Sequence, residues 1–357
     1  MESQRTDARL RDLAAMLNDR SEAGRAWSVT MVSGKPGIAK RQLILLTGRA
    51  HPELAEAVAK YLGAAITPQA AYDFANGEIF VRFEESVRGA DAFVMQSHSA
   101  PVNDWLMEQL LMVDALKRAS AKRITAVMPS YPYARQDRKY AGREPVSARL
   151  IADMFRTAGA DRIVTVDLHT AQAQGFFDGP VDHLHAMWLL CDHVGSRYRG
   201  EDLTIVSPDA GRTRLAEKWA DLLGGCPIAF IHKTRDPLRP NEVVANRVVG
   251  DVEGRTCVVV DDMIDTALTS TTAARQLLEQ GAKDVVLVAT HGVLSGDAHD
   301  RLIASKAREV ILTDTLPIPP GKRFPGLTVL SIAPLLARAI QEVFEDGSVT
   351  SLFDGNA

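Results

Sequence analysis

The sequence predicts an α/β protein of two successive units, each a mainly parallel sheet flanked by helices. Three observations carry that expectation. From Arg41 onward, apolar strand-like runs alternate with helix-like stretches, the order expected of a parallel sheet covered on both faces. Runs such as Val258, Val259 and Val260 are β-branched without polar alternation, as strands buried on both faces are. Two of these runs end in acidic residues, at Asp167 and at Asp261, which suggests one unit repeated.

Residues 1–40 read as a partly disordered extension. Leu10, Leu13, Ala14 and Leu17 fall at helical spacing, and Ser33-Gly34-Lys35-Pro36-Gly37 then reads as a linker. That glycine-lysine pair lacks the spaced first glycine of a Walker motif and is followed by proline. Residues 41–189 form the first expected domain, with strands QLILLTG, EIFVRF, AFVMQS, RITAVMPS and RIVTVDL. Helices are expected from Pro52, over residues 103–118 and over residues 146–157. Residues 190–345 form the second domain, with strands LTIVSPD, IAFIH, TCVVVDD, DVVLVATHG, EVILTDT and LTVLSI. Its helices are expected over residues 213–223, from Thr269, after the DVVLVATHG strand, and up to Phe344. Residues 346–357 are a tail expected to pack back on the first domain.

The 357 residues are 46% hydrophobic and 24% charged, enough to bury two cores without covalent staples. A net charge of −4 gives no basic excess for wrapping a nucleic-acid backbone, so arginine clusters point to small anionic ligands. Three widely separated cysteines in apolar contexts suit a reducing cytoplasm better than disulfides or zinc. No apolar run approaches the roughly 18 residues of a membrane span. The charged start has no apolar segment of a secretory signal behind it.

The densest chemistry lies from Val258 to Ala274. Asp261, Asp262 and Asp265 crowd the end of a buried strand, and Thr266, Thr269, Ser270, Thr271 and Thr272 follow as a helix begins. Ligands of open parallel sheets bind beyond the carboxyl ends of strands, and a helix start favours an anion. The pattern therefore suits a sugar phosphate, with carboxylates for hydroxyls or a hydrated metal; an acidic strand end that merely caps a helix is the alternative. Elsewhere Phe74, Asn76 and Glu78 surround a tight turn and would suit an adenine pocket, or simply make the turn. Arg135, Gln136 and Asp137 open a run with Arg138, Lys139 and Arg143 that fits polyphosphate, or a solvated loop. Asp167 and His169 follow another apolar strand, where the imidazole could ligate a metal, contact phosphate or only pack. Asp209 and Gly211 stand at a further strand end, with Arg212 and Arg214 opening a helix. Lys233 and Arg235 sit in a segment with Pro237 and Pro240, read as a mobile cationic lid.

The segment from Asp261 to Thr269 resembles the D-D-x-x-D-T-(A/G)-G-T signature of type I phosphoribosyltransferases and ribose-phosphate pyrophosphokinases. FANGE, ESVRG, PVND, YPYARQDRK, DLH with QGFFD, SPDAG, KTR and DDMIDT are similar, in order and spacing, to the bacterial class I members of the latter family. That resemblance covers residues 41–353 and implies two tandem phosphoribosyltransferase-like domains in dimers that assemble to a hexamer, a homo-oligomer. It implies Mg2+-dependent transfer of the pyrophosphoryl group of ATP to the anomeric hydroxyl of ribose 5-phosphate, with no nucleic acid or membrane as partner. Carried over by position, it assigns adenine to Phe74, Asn76 and Glu78, other ATP contacts to Arg135, Gln136 and Asp137, and magnesium nucleotide to His169 and Asp209. It makes Lys233 and Arg235 the catalytic cations, gives ribose 5-phosphate to Asp261, Asp262, Asp265, Thr266 and Thr269, and gives an allosteric phosphate or ADP site to Ser86, Val87, Arg88, Ser348, Val349 and Thr350.

Several positions depart from the pattern. Leu268 replaces a glycine of the ribose-phosphate loop, which predicts backbone strain of about 1–2 kcal/mol and added bulk. Arg212 stands where many members have glycine, Asp314 where Asn is common, and Ala171 and Ala173 where larger side chains are expected. An impaired regulatory paralogue, or a pyrophosphokinase for another pentose 5-phosphate, are the alternatives these departures raise.

Overall fold

The computed structural model describes residues 41–236 and 239–353, so the helix and linker expected before Arg41 lie outside the described residues. The chain divides into two compact units. The first runs to His185 and includes Thr315–Pro317 and Ser331–Ala357; the second comprises Ala186–Asp314 and Ile318–Leu330.

In the first unit, strands β1 (Leu43–Thr47), β4 (Asp91–Met95), β5 (Arg123–Met128), β6 (Arg162–Val166) and β7 (Val181–Leu184) form a parallel sheet in that order. Leu45 pairs with Phe93, Val94 with Ala126 and Val127 with Val164, which keeps the apolar runs of neighbouring strands level. Helices α1 (Pro52–Leu62), α2 (Val102–Arg118) and α3 (Ser147–Ala158) accompany the sheet. Phe155, Met112, Leu116 and Met128 are buried in one cluster, and the side-chain amide of Gln109 donates to the carbonyls of Val94 and Val127. EIFVRF does not join this sheet. β2 (Gln69–Asp73) and β3 (Ile79–Phe83) pair antiparallel with each other as a separate hairpin, and β2 carries no apolar run that would have announced it. β7 was also unmarked, since His183 and Asp182 interrupt its apolar character.

The last helix of the chain, α8 (Ala333–Phe344), groups with the first unit although the sequence placed it in the second. Its apolar face packs on α1. Just past its end, Asp346 accepts from Arg41 and Arg123, two guanidinium groups that also bind the buried Asp91.

The second unit is built on a seven-stranded sheet. The chain enters at β8 (Leu203–Ser207), runs outward through β9 (Ile228–Asp236) to β10 (Arg239–Val249), then returns to the other side of β8 as β11 (Thr256–Ile264). From there β12 (Asp284–Gly292), β13 (Glu309–Thr313) and β14 (Leu327–Leu330) extend in the opposite direction. All neighbours are parallel except β9 and β10. Helices α4 (Met187–Arg197), α5 (Thr213–Leu222), α6 (Leu268–Glu279) and α7 (Ala298–Ala304) complete the unit, and α4 occupies the stretch read from sequence as a domain boundary. The strand order reverses between β8 and β11, which makes the crevice beyond their carboxyl ends the topological switch point.

Candidate active site

At that switch point β11 outruns its neighbour. β8 pairs with β11 only as far as Val206 with Val259, whereas β11 continues beside β12 to Ile264. Asp261 and Asp262 thus lie on the strand itself, with the edge toward β8 left for side chains. The turn after β8 fills part of it: Ser207 Oγ donates to the Asp209 carbonyl at 2.6 Å, and Gly211 N–H donates to Asp209 Oδ1 at 2.8 Å. Arg212 follows, with Nη2 2.8 Å from Asp262 Oδ1 and Nε 3.4 Å from Asp261 Oδ1. Burial and the neighbouring Asp262 charge push the Asp261 carboxyl well above the usual carboxylate range, and Arg212 opposes that rise. Arg212 thus acts as counter-cation to the acidic pair.

Beyond β11 the chain turns at Ala267, which is left-handed with φ 60°, and Leu268 opens α6. The strain expected at Leu268 is therefore absent there; the left-handed position is one residue earlier, where the signature accepts alanine or glycine. The Leu268 side chain is 61% exposed. Thr271 N–H and Oγ both reach the Ala267 carbonyl, and Arg301 donates to the Thr266 carbonyl at 2.9 Å. Asp265 is half-buried while Thr266 and Thr269 are exposed. Lys233 and Arg235 are on strand β9, paired with Asn246 and Val243 of β10, and so do not belong to an irregular lid. Pro240 is tolerated because β10 is an edge strand with a register shift after Arg239.

In the first unit, the loops after the adjacent strands β5 and β6 meet. Gln136 accepts from Ser147 Oγ at 2.7 Å and so holds the start of α3, and Thr170 Oγ1 donates to Asp137 Oδ2 at 2.6 Å. Arg135 and Gln136 are exposed, His169 is half-buried, and Asp137 Oδ1 is buried with no hydrogen-bond partner among the described residues. Phe74, Asn76 and Glu78 form the exposed tip of the β2–β3 hairpin, where Asn76 Oδ1 accepts from Glu78 N–H at 3.2 Å. The Phe74 ring packs edge-on against Tyr72 and Phe80. Of the residues assigned to regulation, Ser86 and Arg88 are exposed, and Arg88 reaches Ser120 Oγ at 3.3 Å. Val87 is a core residue, 2% exposed, so its side chain faces the interior. Ser348 and Thr350 share a hydrogen bond of 2.8 Å in the tail, with Val349 between them.

Sequence reasoning missed the pairing of Arg212 with two carboxylates, because β8 and β11 become neighbours only through the strand order. It also passed over His183 and His185, whose motif carried a histidine signal that was assigned to His169 alone.

An acidic strand end at a switch point, followed by a hydroxyl-rich helix start, suits a phosphorylated ligand that carries hydroxyl groups. A family model for the N-terminal domain of ribose phosphate pyrophosphokinase matches residues 43–159, and one for the phosphoribosyl synthetase-associated domain matches residues 205–354. The chain is 68% identical to a ribose-phosphate pyrophosphokinase of Mycobacterium tuberculosis over 318 residues, 89% of this chain and 98% of the relative. It is 64% identical to one from Corynebacterium glutamicum, over 89% of this chain and 98% of that protein. The crystal structure of phosphoribosylpyrophosphate synthetase from Mycobacterium smegmatis superposes with a TM-score of 0.82 at 66% identity, covering 85% of this chain and 99% of that one. The chain belongs to the ribose-phosphate pyrophosphokinase family.

Proposed function

We infer that this chain is an active ribose-phosphate pyrophosphokinase, moving the pyrophosphoryl group of ATP to the anomeric hydroxyl of ribose 5-phosphate and releasing AMP with phosphoribosyl pyrophosphate. The observation that carries the reading is the acidic pair Asp261 and Asp262, held at the switch point by Arg212 and followed by the start of α6. Carboxylates there accept sugar hydroxyls, and the N–H groups of Thr269 and its neighbours suit a 5-phosphate. Asp265 and Thr266 complete the sugar-phosphate contacts.

Such a transfer asks little covalent chemistry of the protein and much positioning. Magnesium, bound with the nucleotide, neutralises charge on the phosphate oxygens. The donors present fit it: Asp209 is oriented by Gly211 N–H, and Asp137 presents a buried oxygen without a hydrogen-bond partner among the described residues, beside the loop of His169. His169 and Asp209 are the residues proposed to hold it. Arg135, Gln136 and Asp137 are assigned to nucleotide, and Phe74, Asn76 and Glu78 to the purine. Lys233 and Arg235 are assigned to the charge that builds on the transferred group. Exposed Ser86, Arg88, Ser348 and Thr350 are retained as a candidate regulatory phosphate site. The reading includes a homo-oligomer of dimers and a cytoplasmic location. Three free cysteines, two of them buried, agree with a reducing compartment, and no described helix is long and apolar enough to cross a membrane.

The test is incubation with Mg-ATP and a panel of pentose 5-phosphates, with AMP and the sugar product measured together. Equimolar AMP and phosphoribosyl pyrophosphate from ribose 5-phosphate is the expected result. Preference for another pentose phosphate would move the acceptor assignment, and no AMP with any of them would reduce the chain to a non-catalytic subunit.

A further inference from the structure

Beyond the contacts assigned above, the first unit gathers Asp167, His183 and His185, whose side chains each bring a nitrogen or oxygen within 4.8 Å of the others. Backbone geometry puts them there. β6 and β7 run level, with Val166 opposite Leu184, so the histidines on either side of Leu184 project to one face beside the end of β6. Asp167 is left-handed, φ 36°, a conformation that costs a residue with a Cβ and persists only where its surroundings hold it.

Three such donors could hold a metal ion, but the hydrogen bonds favour another role. His183 Nε2 accepts the N–H of Leu168 at 2.9 Å. A neutral imidazole has one acceptor nitrogen and one N–H. The lone pair a metal would need is thus committed to the backbone, and the ring proton on Nδ1 is matched by the Gln174 side-chain amide, 3.3 Å away, when its oxygen faces the ring. His185 Nδ1 lies 3.2 Å from Asp167 Oδ1, and its ring packs edge-on against Phe353 of the tail. On the far side of His169, Thr170 is tied to Asp137. The four residues from Asp167 to Thr170 are therefore gripped at both ends, with His169 between the grips.

The geometry points to His183 as a positioning residue for nucleotide binding: by accepting from Leu168 N–H it fixes the strained backbone at Asp167 and with it the aim of His169. His185 braces the same turn through the Asp167 carboxylate. The inference rests on the reading of His169 as a contact to magnesium nucleotide.

Steady-state kinetics, thermal unfolding and zinc titration by calorimetry on full-length His183→Leu, His183→Gln and His169→Ala test it. Loss of a hydrogen bond to a buried N–H predicts that His183→Leu raises KM for Mg-ATP about tenfold. KM for ribose 5-phosphate should stay within about twofold. His183→Gln, whose amide oxygen reaches the Nε2 position and can accept the same N–H, should return KM for Mg-ATP to near the parent value. The inference is overturned if the glutamine variant is as impaired as the leucine variant, or if both KM values rise together with a lowered Tm. Stoichiometric zinc binding by the parent that His183→Leu abolishes would make the cluster a metal centre instead. If His169→Ala leaves KM for Mg-ATP unchanged, the nucleotide reading falls and this one with it. A normal His183→Leu beside an impaired His169→Ala removes the positioning role alone.

Discussion

His98 is buried near the end of β4 and donates from Nδ1 to the Ser130 carbonyl at 3.2 Å. Burial pushes its imidazole down to about 4 from the ordinary 6.5. The folded chain keeps the ring neutral where the unfolded chain protonates it, so the unfolded state binds more protons, and stability falls as pH drops from 6.5 to about 4. The linkage amounts to about 3 kcal/mol. His98→Gln should flatten the pH dependence of the urea-unfolding free energy in that window; an unchanged slope would assign it to other groups. Arg212 makes the second residue-scale case. Removing one partner of a mostly buried ion pair leaves the other charge uncompensated, so Arg212→Ala should raise KM for ribose 5-phosphate about tenfold or more. A KM for Mg-ATP that rises equally would show a general collapse of the turn. At this scale the carboxylates were legible because three in five residues at an apolar strand's end is a local signal. The guanidinium facing two of them was not, since its partners are some 50 positions away in the chain.

At the scale of the element, the start of α6 separates two effects that the sequence merged into one. Ala267 bears the left-handed backbone, whereas Leu268 is helical with an exposed side chain. Ala267→Gly should stabilise the fold by about 0.5–1 kcal/mol, because glycine adopts φ > 0 without a Cβ clash. Leu268→Gly should destabilise it by up to about 1 kcal/mol through lost helix propensity. Opposite shifts in the urea midpoint confirm the assignment, and a gain from both would return the strain to Leu268. Strands β8, β11, β12 and β13 were legible as buried β-branched runs, and most helix starts fell within a residue or two of expectation. The β9–β10 pair was only half legible. IAFIH ends in an apolar pattern, but its continuation through Lys233 and Arg235 is polar and broken by prolines, which an antiparallel edge tolerates.

On the scale of the whole molecule, the first unit borrows from distant sequence. α8 and the tail complete the first unit, with its apolar face on α1 and Asp346 bridging Arg41 and Arg123. A chain ending at Leu330 should therefore lose protection in β1 and β4 by hydrogen exchange while β11 and β12 keep theirs, and uniform protection would show that α8 contributes little. The linear chain by itself determined that this is an α/β protein with phosphate-directed strand ends, because hydrophobic period and clustered polar residues are local properties. It also carried the family resemblance. Only the tertiary structure decided which strand ends adjoin, where the left-handed turn falls, that Arg212 serves the acidic pair and that His183 grips the loop of His169. Those depend on strand order and register, which bring together residues the chain keeps apart.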